Sequence, residues 1–435
     1  MILQTEYQNR RSKLAKQLPS GSIALIPAAS ECLRNGDAHY RFRQDSDFYY
    51  LTGFNEPDAL LLITAGIPGE SILFNRPRHP AEEQWTGPRL GQEGAKAVLE
   101  IDAAHSIAEI SLKLPEYLAG KQAVYYAMGR YPVWEAHLLA AWKVVKGQVR
   151  RGVKSPEAFC DIAPLLSEMR LFKSPAEIAL MQRAAEISVA AHQGAMRACR
   201  EATHEYQLEA ALLYEFTRLG SRSVAYDSII AGGHNACVLH YTENNKPLNQ
   251  GDLVLIDAGA ECENYAADIT RTFPVSGHFT KEQRLIYELV LRAQQAGIAC
   301  IRPGCLWDKV QKTIVQILTT GLVELGLLQG NVDDLILREA YKPFYMHNSG
   351  HWLGLDVHDV GSYKLEGQWR PLAPGMVLTV EPGLYISAGM QNVDKRWWGI
   401  GVRIEDDIQV TLEGHTNLSE ALVRDVDSIE ALICG

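Results

Sequence analysis

No apolar run in this 435-residue chain approaches a bilayer span, which takes about twenty consecutive apolar residues. The opening MILQTEYQNRRSKLAKQL is polar and basic where a secretory signal would have an apolar centre, so a cytoplasmic protein without a membrane partner is expected. The eight cysteines include no CxxC pair. That sets aside a zinc knuckle or a disulfide frame and fits buried thiols in a reducing compartment. GxGxxG, a phosphate loop ending in GKS or GKT, and GxSxG are all missing from any strand-to-helix context, which removes nucleotide-binding and serine-hydrolase readings. Positive charge is also short: 42 Lys and Arg against 52 Asp and Glu leave a net charge of −10, which argues against nucleic acid. No internal repeat or low-complexity segment is visible.

What is present suffices for two sizeable cores, since 47% of the residues are hydrophobic. Up to about Glu168, short apolar runs such as SIALIPA, ALLLITA and QAVYYAM alternate with helical stretches, the pattern of an α/β layer. A long helix then opens a second domain. Ser174 reads as its N-cap, Pro175 as its first turn and Glu177 as the capping-box partner. The expected division is residues 1–172 and 173–435. The alanine and methionine stripe along this helix reads as core packing.

Four carboxylates and one histidine carry the chemistry of the second domain. In GDLVLIDAGAECENYAADITRTFPV, alternation puts Asp257 at the end of one strand, and Asp268, Thr270 and Thr272 on one face of a second, joined as a hairpin. Glu381 follows the run Val377 to Val380, where Pro382 forces extended geometry and Gly383 permits a turn. Glu405 sits on a short β-type run with Arg403 on the same face. His351 lies in HNSGHWLGLDVHD. His347 and His351 imitate the spacing of a zinc-protease helix, but Asn348 stands where that motif needs Glu, and Ser349 with Gly350 opposes a helix.

Two buried acids at close range repel unless a cation holds both ionised. Four carboxylates against two divalent cations leave a site near neutrality, and five protein ligands leave room for a bridging water or hydroxide. Oxygen-rich ligation with one imidazole suits Mn²⁺ and allows Co²⁺, Fe²⁺ or Zn²⁺. Two such metals would acidify a bridging water and polarise a carbonyl, so the implied reaction is hydrolysis.

HYTEN, DITRTFPV, HNSGHWLGLDVHD, EPGLYI and GIGVRIEDD closely resemble the aminopeptidase P group of the pita-bread metallopeptidases. The likeness runs through the amino-terminal FRQDSDFYYLTGFNEPDA as well. It implies an α/β amino-terminal domain followed by an α+β pita-bread catalytic domain, and cleavage of the bond between an N-terminal residue and a following proline by a metal-bridging hydroxide. It also implies residue roles. Asp257 would chelate one metal, Asp268 and Glu405 would bridge the pair, and His351 with Glu381 would complete the other. Glu381 would in addition pass a proton to the leaving amine, while His240 and His358 would hydrogen-bond the substrate carbonyl. His347 would wall the proline pocket, and Arg403 would anchor substrate or the ligand shell. Trp85 resembles a tryptophan that reaches a neighbouring subunit's active site, which implies a homo-oligomer, a dimer or tetramer, with the amino-terminal domain supplying contacts and closure. Arg150 and Arg151 stand in a stretch that departs from the family pattern and are left unassigned.

Two other readings share the fold. A prolidase restricted to Xaa-Pro dipeptides would use the same metals and differ in how the far end of the site is closed. A non-catalytic pita-bread binding protein would have lost metal ligands, and here all five stand.

Overall fold

The computed structural model describes residues 2–435 and divides into two compact units, Met1–Arg170 and Leu171–Gly435. The first unit is built on a mixed six-stranded sheet. Its spatial order is Ala103–Ser106, Ser71–Asn75, Leu60–Thr64, Ser22–Pro27, Ala123–Tyr125 and Ala158–Cys160. Leu60–Thr64 runs antiparallel to both of its neighbours, and the outer pairings are parallel. Every residue of the three strands Ser22–Pro27, Leu60–Thr64 and Ser71–Asn75 is buried, which is why they read as continuous apolar runs rather than alternating ones. Leu114, Leu118, Leu138 and Val145, from the helices Ile110–Leu118 and Pro132–Lys146, close one core against Ile23, Leu25, Leu62 and Phe74.

In the second unit the helix Pro175–Ala198 starts as its sequence requires. The Ser174 hydroxyl accepts from the Glu177 amide at 3.3 Å, and the Glu177 carboxylate accepts from the Ser174 amide at 2.9 Å. It packs on the helix Glu205–Arg218, and three antiparallel strands follow, in spatial order Thr270–Pro274, Leu253–Asp257, Ile229–Gly232. The same succession then recurs. The helices Lys281–Ala299 and Trp307–Glu324 pack together, and the strands Val377–Val380, Gly383–Ile386, Ile400–Arg403 and Asp406–Val410 come after them.

The expected hairpin is present, with Asp257 opposite Thr270. Between the two long strands the chain makes a small ribbon, Glu261–Cys262 against Tyr265–Ala266. Asn264 turns it at φ +66°. The second strand begins at Thr270, so Asp268 stands just before it rather than within it. The Asp268 amide donates to the Asp407 carboxylate at 3.1 Å instead of joining the ladder, and its side chain meets Tyr226 and His351.

Glu405 also lies outside a strand. Ile400–Arg403 pairs with Gly383–Ile386, whereas Asp406–Val410 pairs with Val377–Val380 in a different sheet. The chain therefore changes sheet twice, at Glu381–Pro382 and at Ile404–Glu405, and the breaks face each other through the Ile404 amide and the Pro382 carbonyl at 3.3 Å. Proline has no N–H to extend the first ladder.

Gly259, two residues past Asp257, lets the two chains of the hairpin come together beside Ala267. A Cβ there would lie 1.7 Å from the Ala267 carbonyl oxygen. Gly259→Ala must push the two chains apart and is expected to cost about 1–3 kcal/mol, read as a fall in the urea unfolding midpoint.

Candidate metal centre

The segments at these breaks surround one cavity of about 340 Å³ in the second unit. Its lining includes His240, Asp257, Asp268, His347, His351, His358, Tyr363, Glu381, Arg403 and Glu405. Nine of the ten residues proposed for the site from sequence therefore share a single pocket. The tenth, Trp85, belongs to the other unit, where it stands 89% exposed on the short helix Pro80–Thr86.

Asp268, His351 and Glu405 offer ligand atoms that all lie within 4.8 Å of one another. His351 Nε2 is 3.3 Å from Asp268 and 3.8 Å from Glu381. Its other ring nitrogen, Nδ1, faces the Trp352 carbonyl at 3.0 Å. That carbonyl can only accept, so Nδ1 carries a hydrogen, and Nε2, which faces the acids, is the nitrogen that would ligate a metal once its own proton is displaced. HNSGH is irregular throughout, and Gly350 lets it pass close to the Thr379 carbonyl, 2.1 Å from where a Cβ would stand.

Negative charge in this pocket exceeds the protein groups that could offset it. Arg403 Nη2 holds Asp257 at 2.6 Å. Tyr226, whose hydroxyl burial and the surrounding carboxylates keep firmly protonated, lies 2.5 Å from Asp257 and 2.6 Å from Asp268. It has one proton for these two contacts. Thr270 gives its hydroxyl hydrogen to Glu405 at 2.7 Å. Burial and then repulsion from Asp268, Glu381 and Asp257 push the Glu405 carboxyl far above the ordinary range. Burial raises Glu381 to about 7 against the opposing charges of His351 and Arg403, with Asp268 and Asp257 adding to the rise. Burial alone would depress His351, but its hydrogen bond to Asp268 and the charges of Asp268 and Glu381 overcome that and lift it to about 9. A cluster that must borrow protons to exist fits divalent cations, which would replace those protons. The donor set is oxygen-rich with one imidazole.

Four neighbours of the site were not anticipated from sequence: Tyr226, Thr270 as a hydrogen-bond donor, Tyr385 and Asp407. Asp407 had a signal. Along Glu405-Asp406-Asp407 the pleat alternates, sending Glu405 and Asp407 one way and Asp406 the other. Asp406 meets Arg271 and Arg424, each at 2.7 Å, together with Ser419 and Gln294. Asp407 instead supports the Asp268 backbone, and its Oδ1 is buried with no hydrogen-bond partner among the described residues. Tyr385 links two expected residues. Arg403 donates to its hydroxyl at 3.1 Å, and that hydroxyl lies 2.8 Å from His347 Nε2. Burial, helped by Arg403 and His240, holds His347 down at about 4, so it is a neutral imidazole at physiological pH.

Residues 179–412 match the family model of metallopeptidase family M24. The chain belongs to that family. A second model, the aminopeptidase P N-terminal domain, matches residues 7–125. Among relatives, the Xaa-Pro aminopeptidase of Escherichia coli strain K12 is 46% identical, with 99% of this chain aligned to 98% of the relative. That of Haemophilus influenzae is 47% identical, with 98% aligned to 97%. The solved structure of Pseudomonas aeruginosa aminopeptidase PepP superposes with a TM-score of 0.98 at 48% identity, covering 100% of this chain and 98% of that one.

For this M24 site the sign of the pH dependence follows from the directions above. Glu381, Glu405 and His351 have folded pKa values above their unfolded ones, so each contributes stability that is present at low pH and lost as pH rises through the folded value. His347 acts oppositely, but its window ends at the ordinary value of 6.5. The thermal midpoint of metal-stripped protein is therefore expected to fall between pH 6.5 and 9. Added Mn²⁺ should raise it more at pH 8.5 than at pH 6.5, and Asp268→Ala should abolish that rise; an equal rise at both pH values would contradict the assignment.

Proposed function

We propose that this chain is a two-metal aminopeptidase that releases the N-terminal residue from peptides with proline in second position. What supports the reading is an intact set of five donors in one buried pocket, in a chain that matches Xaa-Pro aminopeptidases over nearly its whole length. Asp257, Asp268, His351, Glu381 and Glu405 would hold the ions. Mn²⁺ suits this donor set best, with Co²⁺, Fe²⁺ or Zn²⁺ able to substitute. Bound cations supply an acidified water and a polarised carbonyl.

The remaining work belongs to side chains. An Xaa-Pro bond has no amide hydrogen, and its nitrogen must gain a proton to leave as a secondary amine. Glu381 would take a proton from the attacking water and deliver it to that nitrogen. His240 and His358 line the same cavity and serve as donors to the carbonyl oxygen as negative charge develops on it. Neutral His347, braced by Tyr385, offers an uncharged wall to the proline ring, and Arg403 anchors the ligand shell through Asp257.

We assign the amino-terminal domain, residues 1–172, to oligomer contacts and active-site closure, with Trp85 as the reaching side chain. Trp85, Leu33, Tyr40 and Ile67 are each exposed apolar side chains of this domain, surface that contacts in a homo-oligomer would cover. Eight free cysteines favour a reducing, cytoplasmic location. No helix among the described residues is long and apolar enough to cross a membrane.

With Mn²⁺ restored, Xaa-Pro-Yaa tripeptides and longer peptides are expected to lose their first residue; cleavage confined to Xaa-Pro dipeptides would make the protein a prolidase. His358→Ala should lower kcat by about two to three powers of ten, as for loss of an oxyanion donor, while metal content measured by elemental analysis stays unchanged.

A further inference from the structure

The turn that carries His358 has little regular structure to hold it. Between Trp352 and Asp359 the backbone makes two local hydrogen bonds, Asp359 N–H to the Trp352 carbonyl at 2.9 Å and Gly354 N–H to the Asp356 carbonyl at 3.1 Å. His358 itself is exposed, its ring edge-on to His351 at 4.4 Å. Beneath this turn lies an ion pair that the chemistry above does not use. Lys173 Nζ meets Asp359 Oδ2 at 2.9 Å, and both side chains are 1% exposed.

Several features are built around that pair. Gly354 makes space for it, since a Cβ there would lie 2.1 Å from Asp359 Oδ2 and 2.8 Å from Lys173 Cε. The Gly354 carbonyl accepts from the Ala266 amide at 2.8 Å, two residues before Asp268. Lys173 is anchored in turn, its amide donating to the Gly375 carbonyl at 2.8 Å, just ahead of the capped helix at Ser174. A buried ion pair is seldom the most stable filling for its space, because desolvation offsets the attraction. What it adds is direction: a charge-assisted bond fixes one oxygen of Asp359, and with it the peptide that follows His358.

We propose that Lys173 is a positioning residue for catalysis. Through Asp359 it holds the His351–His358 turn so that the His358 ring faces the substrate carbonyl. This rests on the oxyanion-donor reading of His358 given above. Lys173 touches neither substrate nor metal; it acts only through the turn.

Because Lys173→Met alone would remove the ammonium 2.9 Å from a buried carboxylate, the test replaces both groups with apolar ones, Lys173→Met with Asp359→Leu. Wild type, the pair variant, His358→Ala and the triple variant are compared on an Xaa-Pro-Yaa tripeptide with Mn²⁺ bound. The pair variant is expected to lose about tenfold in kcat with KM within twofold, and the triple variant to be no slower than His358→Ala. In metal-free protein the His358 ring NMR signals, assigned by their loss in His358→Ala, should broaden or split in the pair variant. Lys173→Arg, which keeps the charge, should retain most of the turnover. Wild-type kcat in the pair variant, or full additivity in the triple, would overturn the proposal. If the pair variant does not fold, the comparison of Asp359→Asn with Asp359→Asn/His358→Ala decides on the same two criteria. A wild-type protein that leaves the tripeptide uncut would instead refute the aminopeptidase reading itself.

Discussion

Repulsion among four buried carboxylates is the term on which the rest of the catalytic unit turns. Two unit charges 4 Å apart in a partly screened interior interact by about 4 kcal/mol, and Asp257, Asp268, Glu381 and Glu405 crowd one pocket in which the Arg403 guanidinium meets Asp257. Asp406 shows how this protein treats an acid it intends to neutralise internally. Two arginines, a serine and a glutamine enclose it, and its carboxyl is pulled below the ordinary range despite complete burial. One residue on either side, Glu405 and Asp407 receive no such escort and are pushed up instead. The difference lies in which side of the pleat each occupies, so the deficit of positive charge is placed by the backbone itself.

That placement depends on interruptions of regular structure. Inside a ladder, side chains alternate between the two faces of a sheet, so ligands from separate sheets converge more readily at strand ends and breaks. Asp257 ends a strand, Asp268 precedes one, Glu381 and Glu405 sit at the two facing breaks where the chain changes sheet, and His351 lies in an irregular loop. Pro382 stops one ladder by lacking a donor, while Gly259 and Gly350 allow backbones to approach where any side chain would collide. Folding energy is thus spent on bringing the breaks together.

This arrangement decides what could be read from the sequence. Cues confined to a few neighbouring residues were legible: the Ser174 and Glu177 capping box, the hairpin joining Asp257 to Asp268, the corner at Glu381, and the rejection of a helix between His347 and His351. Extending Glu405 along a strand failed because nothing local announces a change of sheet; the break at Ile404 is set by what each half pairs with. Tyr226 and Lys173 were invisible for a related reason. Their partners lie 31 to 186 residues away, in segments without periodicity at the point of contact. The repeated succession of helix pair and strands is likewise a matter of order and packing, carried by different side chains in its two occurrences.

His347 and His351 show how far environment outweighs motif. They are the same residue type, four positions apart on one irregular loop, and burial penalises the charged form of both. His351 looks toward Asp268 and Glu381, and these acids lift it to about 9. His347 is also near Glu381, with Nδ1 at 3.7 Å, yet Arg403 and His240 reinforce burial and hold it at about 4. Its Nδ1 faces the Asn348 carbonyl at 2.8 Å and its Nε2 faces the Tyr385 hydroxyl, so both ring nitrogens are satisfied without a charge. On the proposed reading, one histidine would lose a proton when a cation binds, and the other would remain an uncharged wall. A proline ring, apolar and without an N–H, would be matched by a wall of the second kind, and a carbonyl that must be polarised by a site of the first. Placing the two side by side suits the pocket to a bond whose nitrogen offers no hydrogen to hold.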